Sequence, residues 1–328
     1  MAKDISSPHD EFFKYFMSQV EVVRTYIENF LPAEITTHLN LDTIVVDTEG
    51  YVDDDLKAYF SDVVATVQLS NGWPSEIYIL FEHKSGQDSQ ARLQVLKYMV
   101  LKWAKWIKDR GQGEIHLPII IAVVVYHGKV KWRYSTAFSD LFRLPSDAFR
   151  PFIPSFEHLL HDISHVDEAS FKASVILQIF LMLLKYIFRP ELIDKLPKIL
   201  SLLNELRDKE RITEYLPIII KYILSTGNLA EEKIKEAAKG VPGGEKTVET
   251  TADRLRQEGI LIGEAKGEAR AFKEMLHELL LDKFDMLHPP LEEKIKSISS
   301  QETLKYLFRK AMKVESIQEF SRIIDRLS

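Results

Sequence analysis

A continuous apolar run, LPIIIAVVVY at residues 117–126, constrains the fold of this chain more than any other segment. A half-buried strand alternates apolar and polar residues, whereas a strand covered on both faces is apolar throughout. The run therefore predicts a central strand of a sheet. Elements must pack on both faces of that sheet, which is the arrangement of α/β folds.

The segments before this run predict the rest of an α/β core. Residues 11–31 carry apolar side chains at three- and four-residue steps, which predicts a helix ending at Pro32. Further predicted elements are strands at 41–47, 61–69 and 76–82 and a helix at 89–108. The turn signal Ser70-Asn71-Gly72 makes the second and third strands a hairpin. The later helix makes the fourth strand parallel to the third by a right-handed crossover. The expected core is a helix, three strands, a helix and a strand, with a mixed sheet.

The chain has 328 residues, which we divide into four parts. The core occupies residues 1–150. It is followed by a helical extension packed on it (151–239), a linker (240–250) and a Gly-spaced helix with a small helical C-terminal module (251–328).

The most apolar segment, residues 171–188, is interrupted by Lys172 and Lys185. Because a membrane span needs about twenty nearly uninterrupted apolar residues, we expect a core helix and no membrane association. The chain has no cysteine and its N-terminus has no apolar signal core, so a cytoplasmic location is expected.

The segment IYILFEHKS, residues 77–85, changes abruptly from apolar to charged. Strand alternation places Glu82 and Lys84 on one face and His83 on the other. With a symmetric turn about Gly72, Asp62 lies opposite Glu82, about 5 Å away at Cβ. A loop of another length would shift this register by one or two residues. In that case Asp54 or Asp55 is the alternative first carboxylate.

Two carboxylates that close repel each other unless a cation lies between them. Mg²⁺ prefers one or two carboxylates together with waters and phosphate oxygens. We therefore expect Asp62 and Glu82 to bind Mg²⁺, or Mn²⁺ in its place. Lys84 would orient or activate water, or stabilise the transition state. The alternative is a solvated ion pair between Glu82 and Lys84. An Asp followed by Glu-x-Lys on the next strand, in this order of elements, resembles the arrangement of the PD-(D/E)XK nuclease core.

Four segments resemble a known family: PHDEFFKYF (8–16), DLKAYFSDVVATV (55–67), IYILFEHKS (77–85) and IIIAVVVYHG (119–128). They look like the Rpn family, whose members are named recombination-promoting nucleases or transposases. The resemblance covers residues 1–130 well and the later region more weakly. It implies a PD-(D/E)XK restriction-endonuclease-like core and a Mg²⁺-dependent DNA endonuclease of the bacterial cytoplasm, linked to recombination or mobile DNA. Asp62, Glu82 and Lys84 match the active-site positions of the family.

Two further residues are candidates for the same site. Gln94 lies on the helix after the motif, where this fold often turns a polar residue toward the active site, and a surface glutamine is the alternative. Glu11 is a weaker candidate for a metal contact, because most glutamates are simply solvated. Asp10 opens the first helix and suits an N-terminal cap.

Two basic clusters are candidates for binding DNA phosphates, with ordinary solvated surfaces as the alternative. One lies on the helix at 89–108, where Lys102 and Lys105 are the candidates. The other would share one face at strand spacing and comprises His127, Lys129, Lys131 and Arg133. Since the net charge is −6, any nucleic-acid site must be a local basic patch.

Two other patterns resemble binding motifs for zinc and for a nucleotide, but each lacks a required feature. His158, His161 and His165 lie in a segment that alternates like a strand, which would split the histidines between faces, so no zinc site is expected. GVPGGEKT, residues 240–247, lacks the Gly-Lys-Thr of a phosphate-binding loop, so no nucleotide site is expected.

Gly259, Gly263 and Gly267 form one stripe if residues 251–272 are helical. Each mid-helix glycine costs about 1 kcal/mol relative to alanine, and close helix–helix approach would offset that cost. The stripe predicts a packed or self-associating helix, and thus a possible homodimer. A flexible linker is the alternative.

The sequence favours a metal-dependent DNA endonuclease. The alternative is a catalytically silent DNA-binding or protein-interaction module built on a nuclease core. A third possibility is a helical adaptor whose function resides in residues 150–328.

Overall fold

A computed structural model describes residues 7–47, 63–71, 76–110, 116–171, 173–298 and 300–327. Asp62 and its alternatives Asp54 and Asp55 lie outside the described residues, as does Gly72 of the predicted turn. The chain divides into two compact units, with the division between Thr251 and Ala252.

The first unit has the element order that the sequence predicts. Its strands are β1 (Leu39–Asp47), β2 (Val63–Leu69), β3 (Glu76–Lys84), β4 (Ile119–Tyr126) and β5 (Leu159–Asp162). Its helices are α1 (Pro8–Met17), α2 (Val20–Phe30), α3 (Ala33–Thr36), α4 (Ala91–Arg110), α5 (Val175–Tyr186), α6 (Leu192–Ser201), α7 (Glu210–Thr226) and α8 (Glu231–Ala238). Short 3-10 helices span Phe138–Leu141, Asp147–Phe152, Ile163–His165, Glu168–Phe171 and Leu202–Glu205. The single helix predicted at 11–31 is two helices, α1 and α2.

The strands form one mixed five-stranded sheet in the order β1-β2-β3-β4-β5. The hairpin between β2 and β3 is antiparallel, and the pairing of β3 with β4 is parallel, as predicted. The β2–β3 register pairs Val63 with Phe81 and Val67 with Ile77, which is the register of a symmetric turn. Strand β5, parallel to β4, enlarges the sheet beyond the prediction.

Helices cover both faces of the sheet, and β4 is buried on both sides from Ala122 to Tyr126, whereas Ile119 at its start is 60% exposed. On one face Phe81 and Val123 join the large core shared with α1, α2, α5, α6 and α7. On the other face Leu80 and Val124 pack with Val95 and other residues of α4. Successive side chains of β3 therefore pack into two different cores, one on each face of the sheet.

The buried side of α4 is not the one that the sequence predicts. Helical spacing places one apolar side of this segment at Leu93, Leu96, Val100, Trp103 and Ile107 and predicts that this side is the inner one. Leu93 and Val100 are instead 53% and 50% exposed. Val95, Tyr98 and Met99 face the sheet instead. The prediction was wrong because α4 carries apolar residues on opposite sides, and apolar spacing alone cannot choose between two such sides.

The second unit is helical and has its own core. The long helix α9 (Gly244–Phe284) leads into α10 (Pro289–Ser297), α11 (Gln301–Ala311) and α12 (Ile317–Asp325). Its core comprises chiefly Leu276, Leu280, Leu291, Ile295, Leu307, Ala311, Phe320 and Ile324. Among the described residues, no helix has both the length and the apolarity that crossing a bilayer requires.

The structure differs from the predicted linker at 240–250. Gly243, with φ of 73°, precedes α9, which begins at Gly244. Val241 and Val248 are buried in the core of the first unit. These apolar side chains fix the segment, and the glycines supply a turn before the helix rather than a loose connection.

The glycine stripe lies within α9, so the flexible-linker alternative is wrong. Residues 256–268 are exposed all round the helix. Within the described part of the chain, nothing lies within 4 Å of a Cβ placed on Gly259, Gly263 or Gly267. The stripe therefore does not pack against the described residues of its own chain, and self-association remains a prediction.

Replacing Gly259, Gly263 and Gly267 by alanine should stabilise α9 if the helix is unpartnered. The expected gain is about 1 kcal/mol per site, because alanine lowers the entropy cost of the helix and meets no neighbour. Circular dichroism should show higher helicity and a higher Tm. Gly227→Ala is the opposite control, since its φ of 66° strains any other residue. A lower Tm for the α9 variants would indicate that the stripe is packed against a second molecule.

Several buried or partly buried histidines of the first unit are held neutral. Burial lowers the pKa of His161 to about 4, and the Tyr26 hydroxyl, 2.5 Å from its Nδ1, donates to the neutral ring. Burial and the nearby Arg92 charge lower the pKa of His158 to about 4. Burial and the charge of His83 do the same for His9. In the unfolded chain such histidines have a pKa of about 6.5.

The folded protein should therefore lose stability as the pH falls from about 6.5 to 4, because the unfolded state binds more protons in that window. His161→Gln should flatten the dependence of Tm on pH relative to the wild type. His38→Gln changes an exposed histidine and should leave that dependence as it is. Equal slopes for wild type and His161→Gln would contradict the assignment.

Candidate active site

Glu82 and Lys84 lie side by side near the end of β3, on the face covered by α4. The Lys84 Nζ is 2.8 Å from Glu82 Oε1, and Glu82 is 1% exposed. Both residues belong to β3 itself, which runs two residues beyond the predicted strand. Their common face agrees with the prediction from strand alternation. A solvated strand-end ion pair does not describe this pair, because the carboxylate is buried.

Lys84 is held by three acceptors. Besides Glu82, its Nζ lies 2.9 Å from Asp88 Oδ2 and donates to Gln94 Oε1 at 2.6 Å. Gln94 in turn donates from Nε2 to the Tyr98 hydroxyl at 2.5 Å. Gln94 therefore contacts Lys84, and its side chain is not a simple surface glutamine. An ammonium has three N–H donors, so these acceptors match its capacity.

Glu82 has one oxygen in use and one without a partner. Oε2 is buried and has no hydrogen-bond partner among the described residues. A buried carboxylate oxygen is costly unless a donor or a cation satisfies it. This oxygen therefore fits the demand of a divalent cation for hard oxygen ligands.

The described part of the chain supplies only some of the ligands that a metal needs. Within it, no group of three or more histidine or acidic side chains is arranged to hold a metal ion. Glu82 is one of the two carboxylates expected from the sequence, and the other, Asp62, lies outside the described residues.

Lys84 carries its positive charge in this arrangement. Burial alone would lower the pKa of Lys84, but the charge of Glu82 and the hydrogen bonds to Glu82 and Asp88 outweigh burial and raise it. The ammonium is thus a hydrogen-bond donor and a positive charge next to a buried carboxylate. Such a group can orient water or stabilise developing negative charge.

On the opposite face of β3, the His83 side chain contacts α1 and His127. Its Nδ1 lies 2.8 Å from Asp10 Oδ1 of α1, and its ring stacks on His127 with centroids 4.9 Å apart. Burial alone would raise the pKa of Asp10, but the hydrogen bond and charge of His83 outweigh it and lower that pKa. The helix cap expected from Asp10 is provided by Ser7, whose Oγ accepts from the Asp10 amide.

Other predicted site residues lie elsewhere. Glu11 forms an ion pair with Lys221 of α7 at 3.0 Å, on the face of the sheet opposite Glu82. The Lys102 ammonium lies 4.0 Å from the centre of the Tyr78 ring, and Lys105 is exposed. Tyr78 lies six residues before Lys84, or about 20 Å along the strand, so Lys102 is near the other end of β3.

The second basic cluster is not a strand face. Strand β4 ends at Tyr126, and His127 is fully buried with its Nδ1 3.2 Å from the Leu184 carbonyl oxygen. The expectation that His127 shares an exposed face with the basic residues after it was therefore wrong. Its ring instead fills the space between β3 and α5. Lys129, Lys131 and Arg133 are exposed.

The three later histidines have different surroundings. His161 contacts Tyr26, and His165 pairs with Asp162 at 2.8 Å. Neither ring nitrogen of His158 has a hydrogen-bond partner among the described residues.

Asp88 is the site residue that the sequence reasoning missed. It lies in the loop between β3 and α4, four residues after Lys84. The available signal was weak, because an aspartate before a helix is usually read as a turn or cap residue.

A family model described as "Putative transposase, YhgA-like" matches residues 7–214. The chain belongs to the YhgA-like family. The matched region of this YhgA-like protein contains the sheet and the Glu82–Lys84 pair. No solved structure matches the chain.

Curated relatives of this YhgA-like protein come from Escherichia coli. Strain K12 has the "Inactive recombination-promoting nuclease-like protein RpnE", 29% identical over 80% of this chain and 86% of the relative. It also has the "Recombination-promoting nuclease RpnA", 27% identical over 78% of this chain and 86% of the relative. "Recombination-promoting nuclease RpnD" of strain O157:H7 is 25% identical over 77% of this chain and 95% of the relative.

Asp10→Ala should destabilise the first unit by about 1–3 kcal/mol, because it leaves the buried Nδ1 of His83 without its partner. Urea denaturation measures the loss. Asp42→Ala removes the acceptor of an ion pair with Arg24 whose carboxylate is 86% exposed, and should cost much less. Equal losses in the two variants would contradict a structural role for the Asp10–His83 contact.

Proposed function

We propose that this protein is a metal-dependent DNA endonuclease with a PD-(D/E)XK-type active site. The observation that carries the proposal is the buried Glu82 carboxylate, which binds Lys84 through one oxygen and has no described partner for the other. The names of the relatives support a role related to nuclease action and recombination.

The order of the elements supports the same proposal. Glu82 and Lys84 lie on a strand that pairs antiparallel with β2 and parallel with β4, and α4 connects β3 to β4. This is the order expected of a PD-(D/E)XK core. The β2–β3 register, as far as Val63, is the one used to assign Asp62 as the partner of Glu82.

Asp62 and Glu82 would hold Mg²⁺, with Mn²⁺ as a substitute. When bound, such a cation supplies charge stabilisation at a phosphate and makes water a better nucleophile. Glu82 fits this role because its free oxygen is buried and otherwise unsatisfied.

Lys84 would act on the reacting groups directly, whereas Gln94 would act through Lys84. The water oxygen forms a bond to phosphorus, the bond from phosphorus to the leaving oxygen breaks, and a proton from water ends on the leaving alcohol. The Lys84 ammonium would orient that water or stabilise the negative charge that develops on the phosphate. Gln94 holds Lys84 from α4 and would help to keep it in place.

DNA phosphates would reach the site along exposed basic residues. Lys131 and Arg133 suit this role better than Lys102 and Lys105. The Lys131 backbone oxygen accepts a hydrogen bond from Gln87, which lies in the same loop as the Lys84 partner Asp88. Lys129 precedes this segment and is also exposed.

A catalytically silent DNA-binding or protein-interaction module is the second candidate. One relative that covers 80% of this chain is named as inactive, so a nuclease-like chain of this family need not cut DNA.

Purified protein should nick supercoiled plasmid in Mg²⁺ or Mn²⁺, and EDTA should abolish the nicking. Asp62→Ala, Glu82→Gln and Lys84→Ala should each reduce the rate by at least about 100-fold, because each removes a group that acts on the reacting phosphate. Gel separation of nicked and supercoiled plasmid measures the rate.

Glu11→Gln is the matched control, since Glu11 pairs with Lys221. It should cut like the wild type. Cleavage that survives both Glu82→Gln and Lys84→Ala would contradict the site. A wild type that binds DNA but cuts none in either metal would favour the silent module.

A further inference from the structure

Asp88 uses both of its carboxylate oxygens. Oδ2 lies 2.9 Å from Lys84 Nζ, and Oδ1 accepts the backbone N–H of Gln90 at 2.8 Å. The second contact fixes the turn that leads into α4, and the first places a negative charge beside Lys84. One side chain thus joins the start of α4 to the end of β3.

The loop that contains Asp88 also forms hydrogen bonds to β4 and to the segment that follows β4. The preceding residue, Gln87, donates from Nε2 to the Tyr126 hydroxyl at 2.9 Å and to the Lys131 carbonyl oxygen at 3.1 Å. Tyr126 is the last residue of β4 and pairs with Lys84 in the sheet. These contacts leave the Asp88 carboxylate little freedom to turn away from Lys84.

A bound cation would change what holds Lys84. Glu82 then shares its charge with the cation, and the cation repels the nearby ammonium. Gln94 offers only a neutral oxygen at 2.6 Å. Asp88 is the remaining negatively charged group among the described contacts of Lys84.

We propose that Asp88 is a positioning residue of this site, which keeps the Lys84 ammonium in place when Glu82 engages a cation. The inference rests on the proposed nuclease function and adds a residue to it. Asp88 acts through Lys84 and need not touch the DNA or the metal.

Asp88→Asn separates this role from a role in the turn alone. The amide oxygen can still accept from the Gln90 N–H, whereas the negative charge is lost. Asp208→Asn is a matched control, because Asp208 Oδ1 accepts from the Glu210 N–H at the start of α7 at 2.9 Å. We expect Asp88→Asn to lower kcat for plasmid nicking about 10- to 100-fold, with KM for DNA unchanged.

Asp208→Asn should nick plasmid like the wild type. If Asp88→Asn also does so, while Asp88→Ala is impaired, Asp88 serves only the turn and the proposal is overturned. A rise in KM without a loss of kcat would also overturn it, since that result indicates a contact with DNA instead of a contact through Lys84.

A second measurement does not depend on activity. Glu82→Gln stands in for the loss of charge on Glu82 that a cation would cause. The ¹⁵N–¹H signal of the Lys84 ammonium is visible only while hydrogen bonds protect it from exchange with water. We expect this signal in Glu82→Gln and its loss in Glu82→Gln/Asp88→Asn.

The two measurements distinguish the two ideas. Loss of the signal in Glu82→Gln alone, or its survival in the double variant, would show that Asp88 does not hold Lys84. If the signals behave as expected but the wild type cuts no DNA in either metal, the nuclease function fails and the holding of Lys84 by Asp88 stands.

Discussion

The buried contact between Glu82 and Lys84 is the constraint on which the rest of the first unit depends. Removing two charges from water costs several kcal/mol each unless geometry and hydrogen bonds compensate. Here the compensation comes from α4 through Gln94 and from the loop before it through Asp88. Helix, loop and strand must therefore meet at one point, and they do so where the parallel strands β3 and β4 end.

The side chains of strand β3 alternate between the face of the sheet that is covered by α4 and the face that is covered by α1. Glu82 and Lys84 face α4, while His83 between them faces α1 and contacts Asp10. The polar groups on one face are tied to α4, which is the next element of the chain, and His83 on the other face is tied to α1, which precedes the sheet. The apolar residues earlier in the strand pack into the two cores. The same alternation therefore determines which apolar side chains enter each core and which polar side chains lie on each face.

The sequence predicted the features that follow from short-range periodicity. The apolar run of β4 and the common face of Glu82 and Lys84 depend on spacing along single strands, and the β2–β3 register depends on the short connection between two neighbouring strands. The contacts of Asp88 and of His83 depend on which helix packs where, and spacing within one element carries no such information.

Errors arose where two patterns were equally consistent with the sequence. Helix α4 has apolar residues on opposite sides, and tertiary packing selected the side with Val95. The glycines at 243 and 244 suggested a linker, but Val241 and Val248 anchor that segment in the core. His127 follows a strand and resembles a basic surface residue, yet its neutral ring completes an aromatic stack with His83.

The alternation in β3 has a consequence for how such a chain can change over time. A substitution at one position alters one contact, whereas inserting or deleting one residue moves every later side chain to the other face. A single-residue slip would bring His83 under α4 and drive the Glu82 carboxylate into the aromatic core beside Phe13. Substitutions can therefore change the residues of β3 one at a time. Insertions and deletions within β3 are not tolerated in the same way, because they would exchange its two faces.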